Sequence, residues 1–225
     1  YPNDITIMNG YIYNFNTGIG LDEVNKVTIE HMTIADNSEY GIFCINDCPF
    51  NAVFRHLNIS NNEEYGIYSW ESGVFYVFEN LFVTGNRYAG IRIFSSINVT
   101  DSYFSDNDDD IVYGPYLLNV STDSPGLLTQ WYYKARVLDQ NGNPVSGATV
   151  EAVNQHGDSD LILTTGGNGW TPVGIITENS FIVNVGIDYY SPYTITASKS
   201  GFTDATHTDV SINDNTLEDE FVLGS

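Results

Sequence analysis

Between Ile5 and about residue 114, apolar and polar residues alternate in bursts of three to five positions, and no stretch settles into the 3.6-residue period of a helix. The bursts recur. Those opening Ile5-Thr-Ile, Val27-Thr-Ile, Val53-Phe-Arg, Val77-Phe-Glu and Val99-Thr-Asp begin 22, 26, 24 and 22 residues apart, and each leads to an Asn and usually a Gly-Ile. The clearest copies read Asn37-Ser-Glu-Tyr-Gly-Ile-Phe, Asn62-Glu-Glu-Tyr-Gly-Ile-Tyr and Asn86-Arg-Tyr-Ala-Gly-Ile-Arg. Superposing Gly18, Gly41, Gly66 and Gly90 turns the repeat into columns of one chemical type. Tyr11, Ile34, Ile59 and Val83 fall seven residues earlier, and Ile19, Ile42, Ile67 and Ile91 one residue later, so both sets are expected to stack inward. Four residues before the Gly stand Asn14, Asn37, Asn62 and Asn86, with Asn107 in the same place in a shortened fifth coil. An Asn buried at the same turn of every coil can pass an amide hydrogen bond to the next, which predicts a structural ladder in a chain wound about one axis.

These repeats resemble the pectate-lyase-like right-handed parallel β-helix, and more closely the secreted β-helix repeats of the NosD type found in archaeal surface proteins. The resemblance covers residues 5 to about 114 and implies a fold rather than a chemistry; the Leu-x-x-Leu-x-Leu spacing of leucine-rich repeats is absent. After Pro115 the repeat stops and turn formers accumulate, and from Trp131 short strands alternate with turns, as in Ala148-Thr-Val-Glu-Ala-Val153 and Tyr193-Thr-Ile-Thr-Ala-Ser198. Val137 to Val150, with Asn141-Gly142 as a tight turn, and Lys199-Ser-Gly-Phe202 resemble the carboxypeptidase regulatory-like, transthyretin-like sandwiches. The expected fold class is therefore all-β: a short right-handed parallel β-helix of about five coils over 1–114, a linker or cap over 115–130, and an Ig-like/transthyretin-like β-sandwich over 131–225.

Charge narrows the partners. With 29 Asp plus Glu against 7 Lys plus Arg, the net charge of -22 repels nucleic acid and anionic lipid, and suits either plain solubility or high salt. No apolar run approaches the ~20 residues that span a bilayer. The opening Tyr-Pro-Asn-Asp has neither an initiator Met nor a signal sequence, so upstream processing is expected. Sequons at Asn58, Asn98 and Asn119 suit a glycosylated extracellular protein. Cys44 and Cys48 would close a small loop disulfide in an oxidising compartment, the alternative being two buried thiols.

Candidate chemistry is sparse. His31 and His56 share a column on adjacent coils, with Met8 before and Asn80 after, about 5 Å apart by strand spacing and close enough to share a metal or a proton; a polar stack on a solvated face is the simpler reading. Glu30, Arg55 and Glu79 form a neighbouring column expected to be a charge ladder. Asp106, Asp108, Asp109 and Asp110 concentrate hard oxygen ligands that favour calcium, against a solvated acidic turn. Tyr40, Tyr65, Tyr68 and Trp70, with Phe43, form aromatic columns suited to glycan or protein contact.

The two acids of a glycosidase, or the basic residue with carboxylates of a lyase, do not emerge from the columns, so no catalytic residue is assigned and no cofactor beyond calcium. The expectation is a non-enzymatic extracellular structural or adhesive cell-surface protein of filament, sheath or S-layer type. Such a protein would associate as a homo-oligomer or homopolymer through the β-helix ends. The alternatives are a carbohydrate-binding module and a fragment of a polysaccharide lyase or hydrolase.

Overall fold

The structure, a computed structural model, describes residues 4–45, 51–70, 75–108, 111–113, 126–182 and 186–224. The chain divides into two compact units, Tyr1–Leu127 with Ile182–Gly186, and Leu128–Phe181 with Ile187–Ser225. Among the described residues both are built from strands, with no helix. The division falls between Leu127 and Leu128, and residues 114–125 lie outside the described residues.

The first unit contains β1 (Ile5–Tyr13), β2 (Thr17–Asp22), β3 (Lys26–Ala35), β4 (Tyr40–Ile45), β5 (Asn51–Ser60), β6 (Tyr65–Ser69), β7 (Phe75–Thr84), β8 (Ala89–Ile93), β9 (Ser96–Thr100), β10 (Tyr103–Ser105) and β11 (Ile111–Tyr113). β1, β3, β5, β7 and β9 pair in parallel in that order, with β10 beside β7, and β2, β4, β6, β8 and β11 form a second parallel sheet. The result is a β-solenoid of about four turns rather than five, because the last coil is carried only by the short strands β9 to β11.

Register corrects the frame drawn from the repeats. Ile5 pairs with Val27 as expected, but Val27 pairs with Ala52, Ala52 with Tyr76 and Tyr76 with Ile97, so the coils are 22, 25, 24 and 21 residues long. Ala52, Tyr76 and Ile97 point into the core, and Val53 and Val77 lie on the outer face. Alternating strands put neighbouring residues on opposite faces, so an offset of one exchanges inside for outside. The same error affects the first coil, which has one residue fewer between β1 and β2 than later coils have. Ile12, not Tyr11, joins Ile34, Ile59 and Val83, and Tyr11 is 79 % exposed. The Ile19, Ile42, Ile67 and Ile91 stack lies in the core.

The glycine column has a steric cause. A Cβ on Gly18, Gly41 or Gly66 would lie 2.5 to 2.7 Å from the carbonyl oxygen of the next glycine in the column, a separation real side chains do not tolerate. Two further columns hold the left-handed conformation that turns the chain at each corner. Asn9, His31, His56, Asn80 and Asp101 form one, with φ between 46° and 59°; Asn14, Asp36, Asn61, Gly85 and Asp106 form the other, with φ between 54° and 65°. Asn, Asp and His are the non-glycine residues that accept this region most readily.

The second unit contains β12 (Gly126–Asp139), β13 (Thr149–Val153), β14 (Ser159–Thr164), β15 (Gly174–Ile182), β16 (Gly186–Tyr189), β17 (Tyr193–Ser198), β18 (Ala205–Val210) and β19 (Thr216–Leu223). β14, β13, β17 and β18 form one antiparallel sheet; in the other layer β12 lies between β19 and β15, with β16 beyond. One core joins the layers, with Tyr133, Val137, Ile176 and Phe221 from one meeting Val150 and Ile195 from the other.

Candidate functional site

The solenoid turns its repeat into four stacked side-chain arrays, each positioned by the parallel register. The first is the ladder at the turn into the second sheet. Asn37 donates from its backbone N–H (3.2 Å) and Nδ2 (2.8 Å) to Asn62 Oδ1, Asn62 donates likewise to Asn86 (3.1 and 2.8 Å), and Asn86 to Asn107 (3.0 and 2.9 Å). Each amide thus satisfies a buried donor on the preceding coil. Asn14 stands outside this chain: Asn37 Oδ1 instead accepts from the Phe15 N–H at 3.1 Å, and Asn14 occupies the left-handed position one residue earlier. The shortened first coil moves both residues by one place.

The second array is charged. Glu30, Arg55 and Glu79 share a register column, and Arg55 Nε donates to Glu30 Oε2 at 2.6 Å.

The third lies on the outer face of β4, β6 and β8. Tyr40 stacks on Phe43 (4.7 Å between centroids) and Tyr68 (5.4 Å), Tyr65 on Tyr68 (4.9 Å), and Trp70 on Phe94 (5.4 Å). Arg92 reaches across this surface: its Nη1 donates to the Tyr65 hydroxyl at 2.7 Å, and its guanidinium sits 5.6 to 5.9 Å from the Tyr65, Tyr68 and Phe94 rings. Burial, reinforced by the hydrogen bond to Glu64, pushes the Tyr40 hydroxyl above the ordinary phenol range, and burial raises Tyr68 against the opposing pull of Arg92. The rings therefore occupy one another's faces. Tyr68 and Phe94 are buried, whereas Trp70 is 51 % exposed and Tyr88, edge-on to Tyr65, 45 % exposed. Arg92 and Phe94 were missed from sequence, yet they stand two and four residues after Gly90 as Tyr68 and Trp70 do after Gly66, so the glycine column carries the signal that finds them.

The fourth array is the corner column. His31 and His56 are face to face at 4.6 Å, and the residue below them is Asn9, not Met8, which pairs with Glu30.

Other candidates stay apart. Asp106 takes a left-handed turn position and accepts from Ser105 Oγ at 3.1 Å, Asp108 is exposed, and Asp109 and Asp110 lie outside the described residues. Among the described residues no group of three or more His, Cys, Asp or Glu is placed to hold a metal. Cys44 is buried in the core and Cys48 lies outside the described residues. Asn58 is exposed on β5, Asn98 is half-buried on β9, and Asn119 lies outside the described residues. No helix among the described residues is long and apolar enough to cross a membrane.

Residues 1–95 match the family model described as right handed beta helix region. This part of the chain is a right-handed β-helix. No curated protein matches the sequence significantly. The β-helix is a scaffold used by enzymes and non-enzymes alike, so fold alone assigns no reaction.

Proposed function

We propose that the chain is a non-enzymatic structural or adhesive component of an extracellular surface. In this reading the β-helix is a rigid spacer, and the C-terminal unit is an Ig-like module of the transthyretin-like kind. The observation that carries it is that, among the described residues, Arg55 and the aromatic array of the β-helix are turned on neighbouring side chains. A lyase or hydrolase needs a base, or a pair of acids, aimed at the bond to be cleaved. Arg55 is instead clamped to Glu30 at 2.6 Å, and the aromatic rings stack ring on ring. Incubation with uronic-acid and neutral polysaccharides is expected to release neither unsaturated products nor new reducing ends; either product overturns the reading.

Self-assembly belongs to the same proposal. Tyr11, Tyr13 and Phe15 form an exposed aromatic surface on the first coil. A second copy would bury that aromatic surface, and a head-to-tail contact that does not close gives a filament. Because each copy carries -22, association should strengthen with salt or calcium. Sedimentation across both conditions decides this, and a chain that stays monomeric throughout removes self-assembly from the proposal.

The exposed Trp70 and Tyr88 favour a second reading, a surface that stacks on sugar rings. A glycan array should then show binding that Trp70→Ala abolishes; no binding to any glycan retires it.

A further inference from the structure

Two of the four histidines hold carboxylates: His156 lies 3.0 Å from Asp188 and His207 3.1 Å from Asp219. The other two hold only each other. The imidazoles of His31 and His56 are 4.6 Å apart and within 5° of parallel, both side chains are exposed, and among the described residues none hydrogen-bonds to their ring nitrogens. They flank an open groove of about 540 Å³ whose other walls include Asn9, Tyr11, Thr33 and Asn58.

We propose that His31 and His56 together form a binding site for a single borderline transition-metal ion, Cu²⁺ or Zn²⁺, on the corner of the β-helix. Imidazole nitrogen binds such ions at about 2.0–2.1 Å, so two nitrogens in neighbouring positions on one ion stand about 3 Å apart. The stacked rings at 4.6 Å have parallel planes, so both exposed side chains rotate about χ1 and χ2 to bring two nitrogens together and turn their in-plane lone pairs onto one ion. The backbone beneath them does not have to move. Both residues hold φ of 54°, and the coils are locked in register on each side of the corner by the Glu30–Arg55 and Thr33–Asn58 pairings. The amide and hydroxyl oxygens of the groove, with water, supply the remaining positions. The acidic surface attracts cations of every kind, but imidazole selects copper and zinc over calcium and magnesium.

The column supplies its own control, because Asn9 and Asn80 hold the same corner with φ of 59° and 54°. His31→Asn and His56→Asn therefore keep a residue the fold already accepts there while removing one ligand each. The full-length chain is titrated with Cu²⁺ alone by calorimetry, and the bound ion is examined by electron paramagnetic resonance. The expected result is one ion per chain with two imidazole nitrogens in its equatorial plane. Each single substitution should weaken binding on the order of 100-fold, the gain of joining two ligands in one site, and His156→Asn should change nothing. Binding that survives both corner substitutions, a spectrum showing only oxygen ligands, or no binding at all overturns the proposal. Should a corner variant fail to fold, the nitrogen couplings of the unaltered chain decide the question alone.

Discussion

In the β-helix each buried amide finds its partner one coil away, 21 to 25 residues along the chain, and finds the same partner at every coil. In the C-terminal unit each buried hydroxyl meets a group that occurs once. Tyr133 donates to Asp219, 86 residues distant, and the Tyr193 hydroxyl lies 2.7 Å from both Asp160 and the Thr177 carbonyl. Both arrangements satisfy polar groups that burial hides from water. They differ in how a defect travels: a missing rung leaves groups unpaired on the coils to both sides, whereas a missing hydroxyl disturbs one cluster.

The strongest way to break this contrast is Asn62→Ala. It strands the Asn37 N–H and Nδ2 below and unlinks Asn86 above. At about 1–3 kcal/mol for each buried group left unpaired, the β-helix should lose on the order of 4 kcal/mol. Urea unfolding followed by hydrogen exchange at β4, β6 and β8 measures it, and protection lost in β6 alone would show that the ladder does not transmit.

Gly66→Ala sets a crowded glycine against an open one. Its Cβ would meet the Gly90 carbonyl oxygen at 2.5 Å and Val83 at 3.0 Å, an overpacking worth about 2–3 kcal/mol. Gly142→Ala, at φ of 79° in the second unit with no neighbouring atom in reach, carries only the left-handed backbone cost of about 1–2 kcal/mol. Equal shifts in thermal midpoint would mean that close approach between coils is not what demands glycine.

Tyr133→Phe should cost about 1–2 kcal/mol, since Asp219 keeps His207 at 3.1 Å. Burial first, and then Asp219, hold the Tyr133 hydroxyl above its ordinary value of 10.0. A group raised on folding contributes stability that is fully present below the unfolded value and is lost as pH rises through the folded one. Stability of the second unit should therefore fall above about pH 10, and less steeply in the variant, as read by phenolate absorbance during unfolding.

The smallest effect belongs to Asp139→Asn. Hydrogen bonds from Asn143 and Asn141 hold the Asp139 carboxyl below its usual range. Its contribution is therefore present above the ordinary carboxylate value and fades as pH falls through the depressed one. Titration of the Asn141 and Asn143 amides by nuclear magnetic resonance should lose its acid inflection in the variant.

Legibility followed the same contrast. Wherever a column repeats one residue type, the sequence announces it: the glycines, the isoleucines after them and Asn37, Asn62, Asn86 and Asn107 stand in the structure as they stand in the text. Counting back from Gly18 failed, because one absent residue in the first coil shifted Tyr11 and Asn14 away from the places held by Ile12 and Phe15. Alternation misled where both faces are apolar. Val53 and Val77 look like core residues beside Ala52 and Tyr76, and only register shows that the small alanine and the large tyrosine are inside. The inward tyrosine is accommodated by Ser69 Oγ, 2.7 Å from its hydroxyl. The partners of Tyr133 and Tyr193 leave no periodic trace, so the second unit could be outlined but not wired.

The ladder also fixes a mechanical axis. Parallel strands stacked coil on coil aim their interstrand hydrogen bonds along the direction of stacking, so a pull in that direction would load one coil boundary at a time instead of shearing all of them together. Once a boundary yields, a 24-residue coil such as that between Ala52 and Tyr76 pays out about 80 Å of extended chain at ~3.4 Å per residue, replacing a single strand spacing of ~4.8 Å. Under tension the stack would lengthen in steps, dissipating work at each, while the coils not yet opened keep their columns intact.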